Sequence, residues 1–362
     1  MATNKNQHFV PRCYLRAFTL DTGNAAINVF NIDRKRLIRN APVKNQCSKD
    51  YFYGQDQQLE DAIQLIESGY ANALRAVIAD QRSLTECSKT IFRTFWLFQH
   101  IRTEAAAMRA VQMADSTRDL VDLSPEEFTL GIKEAVQMGC RNFAGAMHEL
   151  DDLKFCIIKN KTKIPFITSD NPAVFTNRWQ IDSRRTRGLS FGIGSAGMLV
   201  LLPLTPKLMF IGYDGDVYGV THVNGIAEIN SDRDVIAFNR HQFLQCVANI
   251  YVHDASYEEL ICKHLTDIES ARPKIRHRIH YAQLDCSVGG HSRYVVVPAE
   301  NRDETKEAIM HSQVIHPNPI IWPSQIQNRR NGSVYTNGTG MGYVRHSRTM
   351  TSTIAPFWKE RA

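Results

Sequence analysis

GMLVLLPLTPKLMFIGY (197–213) decides how this chain is read. Two apolar runs of strand length, 197–204 and 208–213, flank Thr205-Pro206-Lys207. Continuous apolar runs this short, bounded by a turn signal, describe strands covered on both faces. On the N-terminal side, KFCIIK (154–159) and IPFITS (164–169) read the same way, so residues from 151 onward predict a sheet. Further back the period changes to that of a helix. Leu59, Ile63, Ile66, Tyr70, Leu74, Val77 and Ile78 recur at three- and four-residue spacing. Ser83 or Thr85 is placed to cap a second helix, whose stripe runs Phe92, Phe95, Trp96, Gln99, Arg102. Ser124-Pro125-Glu126-Glu127 has the residue order of a third helix start, running to about Leu150. The class expected is therefore α+β. A helical block over about 57–150 packs on a mixed sheet within 151–312, forming one domain over 1–323.

The remainder, 324–362, is rich in Gly, Asn, Thr and Ser and has no period, which predicts a basic flexible tail. The net charge of +6 is concentrated in residues 1–50 and 324–362. A third basic stretch, KIRHRIHY (274–281), alternates as a strand with Lys274, Arg276, Arg278 and His280 on one face. These three regions are the expected contacts for nucleic acid. The competing reading of each is a solvated basic surface. The longest apolar run is far below the roughly 20 residues of a membrane helix, and no leader-like segment is seen, so no membrane is expected. Eight scattered cysteines with no C-x-x-C pair suggest reduced thiols and a cytoplasmic location.

Sequence motifs exclude more than they establish. GIGSAGM (192–198) matches G-x-G-x-x-G, but a basic loop precedes it and a strand follows it, whereas a dinucleotide fingerprint needs a helix there. No nucleotide cofactor is expected. FITSDNP (166–172) sets Asp170 at the end of an apolar strand, either as a functional carboxylate or as a turn former bonding its own backbone. The opening QHFVPRCYLRAF (7–18) interleaves His8, Arg12 and Arg16 with Phe9, Val10, Tyr14 and Phe18, which predicts a buried first segment.

QHFVPRCYLRAF, FWLFQHIRT (95–103), FITSDNP and LLPLTPKLMFIG (201–212), in this order and at these distances, resemble a bacterial family catalogued as domain of unknown function 4238. The resemblance spans about residues 5–255. Cys13 and the long C-terminal part depart from it. It implies no activity, but it singles out His8, Arg12, Tyr14, Gln99, Arg102, Asp170, Asn171 and Asn239. So many polar side chains within apolar segments need partners, and one shared cleft would supply them.

The expectation is thus a polar pocket in a nucleic-acid-acting hydrolase, a nuclease or phosphodiesterase. His8 and Asp170 would serve as general base or as ligand to Mg or Mn. Arg102 would act on the reacting phosphate. Arg12, Tyr14, Gln99, Asn171, Asn239, Arg276 and Arg278 would bind substrate. The alternative is a non-catalytic nucleic-acid- or protein-binding module in which the same residues form a buried network, with Arg102 paired to Asp170. Either suits a defence or toxin role.

Overall fold

The computed structural model describes residues 5–20, 23, 25–120, 124–350 and 355–362. The 197–213 stretch forms two adjacent antiparallel strands, Leu199–Thr205 and Leu208–Tyr213, in the middle of a five-stranded sheet. The strand order is 226–229, 154–160, 208–213, 199–205, 174–176; the first pair is parallel and the others antiparallel, so the sheet is mixed. Gly212 is required in it. A Cβ there would come within 2.5 Å of the Phe155 ring and 2.6 Å of Val200. A second, antiparallel sheet has the order 36–42, 26–31, 249–252, 168–169.

The longer helices are α1 (Gln57–Ala79), α2 (Glu86–Arg102), α3 (Glu104–Leu120), α4 (Ile132–Ala146), α5 (Asp232–Gln245) and α6 (Glu258–Ile268). Thr85 caps α2 by accepting from the Ser88 N–H. The α+β class is as expected. The opening segment is buried between the layers: Tyr14 packs on Phe95 of α2 and hydrogen-bonds Thr168 and Pro203 of the two sheets. Burying this apolar segment contributes on the order of 2 kcal/mol per fully covered large side chain.

Three local readings are corrected. The cap-like signal at Ser124 makes only one turn, in which the Glu127 carboxylate accepts from the Ser124 N–H; α4 starts later, after Gly131. The basic strand starts at His277, so Lys274 and Arg276 precede it. Residues His277–Val288 pair with His291–Val296 and Ala308–Val314 in a three-stranded sheet packed on α3.

The C-terminal segment is no loose tail. Ser333–Thr336 pairs with Trp358–Arg361, Val334 is fully buried, and Arg345 is 2% exposed. The Arg345 guanidinium reaches Asp152 at 2.8 Å and the Glu149 carbonyl. Composition misleads here because a few anchors, rather than an apolar period, fix the segment. Residues 351–354 of it, and 1–4, 21, 22 and 24 of the basic N-terminal stretch, lie outside the described residues.

Candidate functional site

The residues expected to converge separate into two structural networks. The first surrounds the opening segment. Gln7 is held by the Gly54 carbonyl and by the Tyr53 N–H, and the His8 carbonyl accepts from the Tyr53 hydroxyl. The His8 ring sits 3.2 Å from the Lys44 carbonyl, and burial lowers its pKa. Gln99 donates to the Phe9 carbonyl at 2.7 Å and accepts from Arg102 Nε at 3.1 Å. Arg102 is completely buried, lies over the Phe98 ring, and ion-pairs with Glu67 of α1 at 2.8 Å. His8, Arg12 and Glu67 line a small cavity of about 340 Å³. Arg102 therefore pairs with Glu67 and not with Asp170, because α1 brings a carboxylate to it first.

Asp170 belongs to the second network and serves the backbone. Oδ1 accepts from the Val247 N–H, and Oδ2 accepts from those of Ala248 and Asn249, each at 2.8 Å. Burial pushes its carboxyl up to about 6, against these three donors. Both oxygens thus serve the backbone of residues 247–249, and Asp170 lines neither cavity described here. Among the described residues, no group of three or more His, Cys, Asp or Glu is placed to hold a metal ion. Asn171 bridges the Thr103 hydroxyl and the Gln245 carbonyl, and Asn239 bridges Ile167 and Pro165. Tyr14, Gln99, Asn171 and Asn239 all satisfy polar groups inside the fold.

A larger cavity of about 760 Å³ is walled by α3, the 171–175 strand entry, the α5 C-terminus, residues 269–277 and residues 314–317. Arg109, Arg272, Lys274 and Arg276 line it, against Asp33 and Glu269, and Glu269 is already paired with Lys35 at 2.8 Å. Arg272 donates to the Cys246 and Val247 carbonyls, and Arg276 to that of Leu244, both at the negative end of α5. Arg109 has no hydrogen bond or ion pair with any described residue. Burial and the neighbouring Arg276 push it down to about 10.

Three histidines share this wall. His100 is held down to about 4 by burial and by Arg109. His316 is also held down to about 4, mainly by burial, with His277, Arg276 and Arg109 adding to it. Both ring nitrogens of His277 are buried with no hydrogen-bond partner among the described residues. The other side is aromatic: Phe191 and His316 stack at 3.5 Å, with Phe175 edge-on to both.

Of the expected site residues, only Asn171 and Arg276 reach this cavity, and Arg278 is exposed. The sequence reading did not single out the lining residues His100, Arg109, Arg272, His277 and His316. The only sequence signal is local: Ala105, Arg109 and Gln112 recur at helical spacing and share one face of α3, the face that lines the cavity.

No curated protein and no solved structure matches the chain. A family model described as protein of unknown function (DUF4238) matches residues 6–256. The match contains the whole Arg102 and Asp170 networks, together with His100, Arg109 and Asn171 of the cavity. Arg272, Lys274, Arg276, His277 and His316 lie beyond its end. With 6–256 covering well over half of its length, the chain belongs to the DUF4238 family.

Proposed function

We propose that this protein binds a phosphate-bearing anion of nucleic-acid type in the cationic cavity. The observation that carries the reading is Arg109. It is a guanidinium lining a cavity, next to Arg276, with no described carboxylate or carbonyl bound to it. Like charges kept close in a partly dry site cost stability, and a bound anion removes that cost. Guanidinium is the side chain best matched to phosphate oxygens.

This reading moves the expected nucleic-acid contact from the surface to the cavity, where Arg276 already stands. The hydrolase reading finds a candidate in His277, whose uncharged ring and unpartnered nitrogens suit proton transfer. The setting proposed with it is cytoplasmic, in a defence or toxin role. All eight cysteines are free, and among the described residues no helix is long and apolar enough to cross a membrane.

The test is titration with inorganic phosphate, mononucleotides and short RNA or DNA at two salt concentrations, followed by incubation of the nucleic acids with and without Mg or Mn. Binding that weakens with salt and disappears in Arg109→Gln supports the reading. Equal binding by the variant removes it. Cleavage that survives His277→Gln removes the catalytic role.

A further inference from the structure

We infer that the cavity takes a phosphate monoester carrying a flat ring, of nucleoside monophosphate size, with Arg109 and Arg276 holding the terminal phosphoryl group. The inference rests on the phosphate-binding reading above and narrows its ligand.

Three observations point to it. The first is the charge that needs matching. Among the described residues, Arg109 has no hydrogen-bond partner, and Arg276 has one, the Leu244 carbonyl at 2.6 Å. Two adjacent guanidiniums suit a dianion. A terminal monoester carries about two negative charges near neutrality, whereas an internal phosphodiester carries one. The second is size. About 760 Å³ lies within the range of sites for single small ligands, and seven chain segments bound it. The third is the division of the lining. The guanidiniums come from α3 and residue 276, while Phe175, Phe191 and His316 supply ring surface in the same cavity. Planar bases stack on such rings without sequence preference.

The site straddles the end of the family match. The shared core contributes Arg109 and Asn171, and the C-terminal part contributes Arg276 and His316. The phosphoryl clamp therefore needs both parts of the chain.

The experiment is calorimetric titration of the full chain with adenosine monophosphate, cyclic adenosine monophosphate, adenosine and inorganic phosphate. Adenosine monophosphate is expected to bind about tenfold or more tightly than the cyclic diester or the uncharged nucleoside. Inorganic phosphate should compete with it. Arg109→Gln should lose the preference, and Arg109→Lys should keep part of it; thermal melts of both variants establish that they are folded. Cyclic and open monophosphate binding equally would overturn the monoester inference while leaving the phosphate reading standing. If neither inorganic phosphate nor either nucleotide binds, both fall.

Discussion

The Arg102 guanidinium of α2, fully buried, meets the Glu67 carboxylate of α1 at 2.8 Å and the Gln99 side chain one turn earlier on its own helix at 3.1 Å. This pair joins two helices and, through Gln99, ties them to the backbone of the opening segment at Phe9. It is a structural joint, made from residues whose types suggested catalysis.

Removing one partner leaves a buried charge unmatched. Glu67→Ala should cost about 3 kcal/mol in urea unfolding, because a broken buried pair costs far more than an intact one contributes. The combined Glu67→Ala, Arg102→Met change should be milder than Glu67→Ala alone. A single change below about 0.5 kcal/mol would show the pair to be solvated.

Asp170→Asn should destabilise by about 2 kcal/mol while leaving phosphate affinity within about twofold. The amide offers one acceptor oxygen to three backbone donors and turns its own N–H₂ toward one of them. If anion binding vanished in a folded Asp170→Asn protein, Asp170 would be a binding residue after all.

Arg109→Gln should raise the melting temperature of the ligand-free protein by about 2 °C, since it removes an unpartnered cation beside Arg276. A structural arginine behaves in the opposite way. A lower melting temperature than the unmodified chain would mean that Arg109 holds the fold.

Acidification gives a test with a fixed sign. His100 and His316 are held at about 4 in the folded chain, below the ordinary value of 6.5. A depressed folded pKa means that the stabilising effect is complete above about pH 6.5 and is lost as pH falls from there toward 4. The unfolding free energy of the ligand-free protein should decline across that window, and His316→Gln should flatten the decline. Sulfate, a dianion throughout this range, should bind more tightly as pH falls, because proton uptake by the cavity histidines adds positive charge. A sulfate affinity constant from pH 8 to 5 would place these rings away from the anion.

Truncation before residue 333 should lower stability markedly, and Arg345→Ala alone should cost about 2 kcal/mol, because the Glu149 carbonyl loses this donor and Asp152 keeps only Ser347. Urea unfolding measures both. An unaffected truncated chain would restore the flexible-tail reading.

The architecture was legible where the pattern was strong. The paired runs around Thr205-Pro206-Lys207, the α1 stripe and the apolar side chains of QHFVPRCYLRAF each dictate one buried face, and each lies where that face requires. The site was not legible in the same way. Polar residues inside apolar segments mark buried satisfaction as readily as chemistry, and Asp170, Asn171 and Asn239 prove to hold backbone groups. Arg109 was hidden because a lone arginine in EAAAMRAVQM looks like helix solubility until the opposite wall is known. That wall, Arg272 to His277 and Val314 to Pro317, is joined to it only by tertiary folding.

The position of that wall has a consequence for inheritance. Most of the residues singled out by the resemblance build joints of the fold, while the cavity lining is split between the matched part, Asn171 included, and the chain after Ser256. A relative matching this chain only over 6–256 would share just one side of that lining. A ligand found for one relative would transfer to another only if the equivalents of Arg276, His277 and His316 came with it.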